Sequence, residues 1–396
     1  MNNKRLIYNS PRMAHDNRNK LLVATPTTSH QEMTRRRFLQ ASAIAGAAGA
    51  WTGPVALADD SASAIQTGQV RLISRPVNVF KIQDNQREQT EAWFFIIFAE
   101  IEKNQSITPV GMEVVYFVGS TEVKREHYSK EGLGSVTVHG YPPPHMPNGD
   151  PPPRPVWWPF GIRIRCREPI SLQVDKVRIQ LTVADTNGNQ DQSEIEVAAS
   201  YYKQKTELIF PFKGPGVITN AGVANGGHRN RSGQFALDAL VTNRYTALLN
   251  NTQDTLNSSF VGWNAPILAP ADGVIVFARS DRPNQPNAQS EDASYFAPEF
   301  PQGGDPGNHV IIDHGNREFS MMAHFQPHSI LARIGDRVRQ GQLLARLGSS
   351  GDTTAPHVHY QLQDGPKWLY ADALPCTFKN IKDSEQLNRG EFFEAV

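Results

Sequence analysis

Near the C-terminus the chain reads Gly348-Ser-Ser-Gly-Asp-Thr-Thr-Ala-Pro-His357-Val-His359-Tyr360. Read as an extended strand, its last residues alternate faces, so His357 and His359 project from the same side, roughly 7 Å apart along the chain. One imidazole is then placed to bind a metal while the other reaches what that metal holds. His-x-His by itself usually marks two ordinary histidines. Three upstream segments change its weight.

The first is Gly226-Gly227-His228, followed by Gln234-Phe-Ala-Leu-Asp238. Alternation predicts a short strand with Gln234, Ala236 and Asp238 on one face and Phe235 and Leu237 turned into a core. The second is the apolar strand Asn308-His-Val-Ile-Ile-Asp-His314-Gly, and the third is Phe319-Ser-Met-Met-Ala-His324-Phe. Two histidine nitrogens and one carboxylate oxygen leave a fourth tetrahedral position open, the ligand count of a catalytic zinc site. Structural zinc sites are mostly closed by cysteines, and this chain has only two.

Together these segments resemble the catalytic domain of the lysostaphin/LytM-type zinc endopeptidases over positions 206–375. The resemblance rests on His228 and Asp238, on Ala269-Pro-Ala-Asp-Gly273-Val274 and on Met322-Ala-His324-Phe325. Gly335-Asp-Arg-Val338-Arg-Gln-Gly341-Gln342 and Ala355-Pro356-His357-Val-His359 complete it in the family's order. It implies one catalytic Zn2+ held by His228, Asp238 and His359, with His324 and His357 as catalytic histidines that are not primary ligands. Three positions depart from the pattern. Nine residues separate His228 from Asp238, where three are commonest; Met322 replaces a usual Tyr, and Ala355 a common Gly. A longer His-to-Asp loop also occurs in branches with a Gln-x-Ala-x-Asp strand, which this one resembles, and no other histidine lies between 146 and 308.

Neighbouring features have plainer readings. His309, His314 and His328 fit no motif position and read as structural or surface residues, His314 with the further option of orienting a ligand through a hydrogen bond. The Gly-x-x-Val-x-x-Gly-Gln turn also occurs in lipoyl and biotinyl carriers. Those need a modifiable lysine, and Leu343–Leu347 has none. Neither a His-Glu-x-x-His helix motif nor a Gly-x-Ser-x-Gly elbow is present.

At 396 residues the chain calls for two domains plus a leader. Thr34-Arg35-Arg36-Arg37-Phe38-Leu39-Gln40 resembles the twin-arginine export motif, followed by an Ala/Gly-rich run and Ala56-Leu57-Ala58 before Asp59. Residues 1–58 are therefore read as a twin-arginine signal peptide and leader, and the product as periplasmic or extracellular, meeting the membrane only during export. A membrane-anchored N-terminus is the alternative. Eight basic and two acidic side chains fall in that leader, leaving 31 basic against 37 acidic, a net of −6. That balance argues against a nucleic-acid or anionic-membrane binder. Cys166 and Cys376 are open to pairing or to remaining as two buried thiols.

The expected fold class is mainly β. Residues 67–205 read as an N-terminal β-sandwich, immunoglobulin-like in outline, from runs such as Ala92-Trp-Phe-Phe-Ile-Ile-Phe and the turn Asp185-Thr-Asn-Gly-Asn. It carries no catalytic cluster, so its expected role is to position its neighbour or bind an envelope protein partner. Pro142–Pro159, with Trp157 and Trp158, reads as an extended surface loop. A polar break at Tyr201–Glu207 leads into a C-terminal β-rich metallopeptidase domain over 206–380. Within it, Ala278–Asn308 reads as a long irregular loop beside the groove.

The function expected from the resemblance is zinc-dependent hydrolysis of peptide bonds in peptidoglycan cross-links, with peptidoglycan peptides as substrate. His357 would take a proton from water, and His324 would donate to the oxyanion or leaving amine. Two alternatives stay open: a non-catalytic LytM-like protein that activates another wall hydrolase, and an endopeptidase acting on proteins.

Overall fold

The computed structural model describes residues 64–65, 70–84, 89–102, 105–138, 156–222, 228, 232–250, 255–298, 304–381 and 387–396. The leader and most of the Pro-rich stretch lie outside the described residues. The fold is mainly β, as the patterning predicts, with two sheet systems and two principal cores.

The N-terminal system contains β1 (Arg71–Arg75), β2 (Val79–Asp84), β3 (Thr90–Glu102), β4 (Ile107–Val118), β5 (Thr121–Ser129), β6 (Gly161–Pro169), β7 (Lys176–Asp185) and β8 (Gln190–Tyr201). β5-β4-β7-β8 form one antiparallel layer. In the other, β3 takes β6 on one edge and β2 and β1 along the opposite edge. A short parallel pairing of Ala199–Tyr201 with Val79–Lys81 joins the layers. Between them Trp93, Phe95 and Ile97 meet Val114, Tyr116, Val177, Ile179 and Ile195. The hairpin read at Asp185 is closed by its carboxylate, which accepts from the backbone N–H of Asn187 and Asn189, while Gly188 takes φ 85°.

β3 is apolar on both faces for a reason. Trp93, Phe95 and Ile97 fill the sandwich, whereas Phe94, Ile96 and Phe98 pack with Trp158 against Phe235 and Ala373 of the second domain. Trp158 is therefore buried and stacked on Phe98 at 4.3 Å, and its end of the Pro-rich segment is not a surface loop. The polar break at Tyr201–Glu207 is held by hydrogen bonds. Glu318 is buried and accepts from the Tyr202 hydroxyl (2.5 Å) and the backbone N–H groups of Lys205 and Thr206, both at 2.7 Å.

The second system comprises β9 (Gly214–Ala221), β10 (Leu237–Val241), β11 (Gly273–Arg279), β12 (His309–Asp313), β13 (Phe319–Ala323), β14 (Arg337–Val338), β15 (Val358–Gln363) and β16 (Phe392–Ala395). They run antiparallel in the order β14-β11-β12-β13-β15-β10-β9-β16. One face is packed by Ile218, Leu237, Ile275, Ile312, Met322, Val358 and Tyr360 with Phe210, Phe212 and Phe325. Alternation turns Asp238 and His359 to the opposite face. Among the described residues no helix is long and apolar enough to cross a membrane. Cys166 and Cys376 are both free thiols, one inside each domain, and do not pair.

Candidate metal centre

Register assembles the centre. Asp238 on β10 lies opposite His359 on β15, and His359 lies opposite Ala323 at the end of β13. His324 follows at once, so three central strands bring residues from 238, 324 and 357–359 together. β10 begins only at Leu237; Gln234 and Phe235 sit in a preceding turn rather than in the expected longer strand. Phe235 consequently points to the domain interface, while Leu237 enters the core of the second sheet system.

His228, Asp238 and His359 converge, with ligand atoms all within 4.8 Å of one another. Asp238 Oδ2 is 3.0 Å from His228 Nε2, and Oδ1 is 2.9 Å from His359 Nδ1. His357 Nε2 is 3.5 Å from Asp238 Oδ1. A carboxylate and the lone pairs of neutral imidazoles repel at this range unless a proton or cation lies among them. Nitrogen and carboxylate donors in this number suit Zn2+. Burial pushes the Asp238 carboxyl up, but His228 and His357 outweigh it and hold it well below the usual range. Burial likewise opposes charge on His228, yet the Asp238 carboxylate raises its pKa.

The other two histidines are held differently. His324 Nδ1 lies 2.8 Å from Ser350 O, and His357 Nδ1 lies 2.9 Å from Ala355 O. A carbonyl only accepts, so each Nδ1 carries a proton, and in the neutral form of either ring the lone pair is on Nε2. Their rings are 4.6 Å apart. Burial, then the imidazoles of His357 and His359, hold His324 well below its ordinary pKa, so it is neutral. His324 also adopts a left-handed φ of 69°, costly for a residue with a Cβ. Its backbone is fixed there by His324 N–H to Pro306 O and Gly348 N–H to His324 O.

The long segment after β11 does this holding. Gln285 is buried and donates to Gly351 O at 2.8 Å, and Asn308 N–H donates to the Ser350 hydroxyl at 2.9 Å. Gly307 (φ 62°) and Gly351 (φ 79°) allow the two loops to touch: a Cβ on Gly307 would come 2.4 Å from the Ser350 backbone. The segment thus fixes the carbonyl that orients His324, where the sequence suggested only an irregular loop beside the groove.

His314 does not reach the centre. Its Nδ1 faces Asp272 O and its Nε2 the Ser320 hydroxyl, which contacts Tyr360 on the core side. His309 stacks on Phe277 and faces Gly307 O. His328 has φ 58° and is not among the grouped ligands. The sequence reading missed Asn220, whose amide donates to Asp238 Oδ2 at 3.1 Å and lies 3.2 Å from His228 Nε2. It also missed Gln361, 2.9 Å from His359 Nε2. Period-two spacing from His359 was the available signal for Gln361; no local pattern marks Asn220.

Residues 259–370 match the pattern of peptidase family M23, and the chain carries a peptidase domain of that family. The match includes His324, His357 and His359 but begins after His228 and Asp238, which the fold supplies. Among curated proteins, the peptidoglycan DD-endopeptidase ShyA of Vibrio cholerae serotype O1 is 32% identical over 97 residues, 24% of this chain and 17% of that protein. The peptidoglycan DD-endopeptidase ShyC of the same organism is 42% identical over 55 residues, 14% and 12% of the two chains. The chain thus spans less than a fifth of either relative's length. A mutant form of the catalytic domain of the prophage-encoded M23 protein EnpA from Enterococcus faecalis aligns at 22% identity over 40% of this chain and 88% of that one. Its TM-score of 0.25 is too low to bear on the fold.

Proposed function

We propose that the protein is a zinc-dependent endopeptidase of the bacterial envelope that hydrolyses peptide cross-links of peptidoglycan. The observation that carries this is the convergence of His228, Asp238 and His359, with His324 and His357 beside them in a fixed tautomer. The M23 domain and the names of the Vibrio relatives support the substrate class. The twin-arginine leader supports export.

His228, Asp238 and His359 would hold Zn2+, which supplies Lewis acidity and lowers the pKa of water near it. The remaining chemistry belongs to the side chains. His357 and His324 each offer Nε2 as a proton acceptor, because Nδ1–H is committed to a backbone carbonyl. A neutral His324 presents Nε2 as an acceptor, and donation to the oxyanion or leaving amine, the role expected of it, follows once that nitrogen is protonated. It takes a proton and afterwards returns it to the leaving amine. Ser350 O, by accepting Nδ1–H, stabilises the imidazolium formed in between.

Sacculi incubated with the exported protein, followed by muropeptide separation, should show loss of cross-linked dimers. A chelator should abolish this and Zn2+ restore it. Intact dimers beside shortened glycan strands would make it a glycosidase. Intact dimers with cleavage of a protein substrate would move the target off the wall.

A further inference from the structure

We propose that Gln361 and Gln363 are positioning residues, a one-way amide ladder that sets the tautomer of His359 and so directs its Nδ1 to the metal. The inference rests on the reading that this centre binds a metal. On β15, His359, Gln361 and Gln363 share a face by period two. Gln361 Oε1 lies 2.9 Å from His359 Nε2. The Gln361 amide donates to Gln363 Oε1 at 2.5 Å, and the Gln363 amide donates to Gly365 O at 2.6 Å.

The last link decides the first. The Gly365 carbonyl can only accept, so Gln363 must turn its NH2 towards it and its oxygen towards Gln361. Gln361 must then offer NH2 to Gln363 and oxygen to His359. His359 therefore carries its proton on Nε2, leaving the Nδ1 lone pair facing Asp238 Oδ1. Reversing any link sets two oxygens or two donors against each other. Gln361 is 2% and Gln363 0% exposed, and Met321 stands opposite Gln361 across β13, so water cannot relieve a mismatch.

Two measurements on the full chain test this. The first is the tautomer of His359 in 15N-histidine-labelled, metal-free Asp238→Ala protein at alkaline pH, where no carboxylate competes for the proton at Nδ1, assigned with His359→Ala in the same background. The proton should reside on Nε2; a proton on Nδ1 overturns the proposal, whether or not the protein is an enzyme. The second is Zn2+ affinity by chelator competition. Gln361→Met removes the acceptor at similar volume and should weaken binding about 10- to 100-fold. Gln361→Glu keeps an acceptor for Nε2–H, though it sets an oxygen against Gln363 Oε1, and should bind Zn2+ more tightly than the Met variant. A Met variant equal to wild type, or Met and Glu variants equally weakened, overturns the ladder in favour of simple packing. Should Gln361→Met fail to fold, Gln363→Met breaks the chain one link away and should give a mixture of His359 tautomers; an unmixed Nε2–H tautomer there counts against the proposal. Wild-type protein that binds no Zn2+ would sink the metal reading while leaving the tautomer result to decide the ladder.

Discussion

At the scale of single residues, the centre separates side chains that would hold a metal from those that would move protons. His228, Asp238 and His359 face one another, whereas His324 and His357 are each anchored through Nδ1 to a carbonyl. Replacing a holder should differ from replacing a proton carrier. Asp238→Ala and His359→Ala are expected to lose zinc and activity together. His324→Ala and His357→Ala should keep zinc while turnover falls about 10²-fold or more. Metal analysis beside turnover of each purified variant checks this. His228→Ala with full zinc would remove the early ligand from the scheme, and zinc lost from His357→Ala but kept by His359→Ala would exchange their roles.

At the scale of elements, antiparallel register across β10, β15 and β13 does the assembling, and Glu318 fastens the connection between the two domains. Burial raises its pKa, but the Thr206, Tyr202 and Lys205 donors outweigh burial and leave the carboxyl below its ordinary value. A depressed carboxyl stabilises the fold above its unfolded-state pKa, and that contribution is lost as pH falls through the folded-state value. Acid should therefore loosen the Tyr202–Thr206 segment before it reaches the apolar cores. Amide hydrogen exchange at Lys205 and Thr206 is expected to accelerate below the ordinary carboxylate range. Glu318→Gln, unable to accept three donors as an anion, should be destabilised by about 1–3 kcal/mol at neutral pH and lose much of that acid response. An unchanged acid response in the variant would place the sensitivity elsewhere.

For the whole molecule, the outer face of β3 seats Phe235, three residues before Asp238. The N-terminal domain thereby packs against the turn leading into the centre. Phe235→Ala should cost about 3 kcal/mol or more, as loss of a buried aromatic does, and should also weaken Zn2+ binding. Calorimetry with a zinc titration measures both; a stable variant with unchanged zinc affinity would reduce the interface to simple adhesion. Export is a property of the same scale. Arg35→Lys with Arg36→Lys should block translocation, and N-terminal sequencing of the wild-type exported form should begin at or near Asp59. Normal export of the double variant would remove the twin-arginine reading.

The mainly β class, the His-x-His strand and the candidate residues were legible because period-two alternation and short motifs are local. Asp238 and His359 could be assigned to one face of their strands without knowing which strands pair. What lay beyond reach depends on partners distant in the chain. Phe235 looked like a core residue because nothing local distinguishes a core from a domain interface, and Ala92-Trp-Phe-Phe-Ile-Ile-Phe read as a strand of the sandwich although its two faces serve different cores. Ala278–Asn308 lacks a periodic pattern because its order comes from Gln285, Asn308, Gly307 and Gly351 meeting another loop. The sequence by itself determined which chemical groups are available and which faces they take. Only the tertiary structure decided the protonated nitrogens of His324 and His357, because each proton is directed by a carbonyl that folding brings up to the ring.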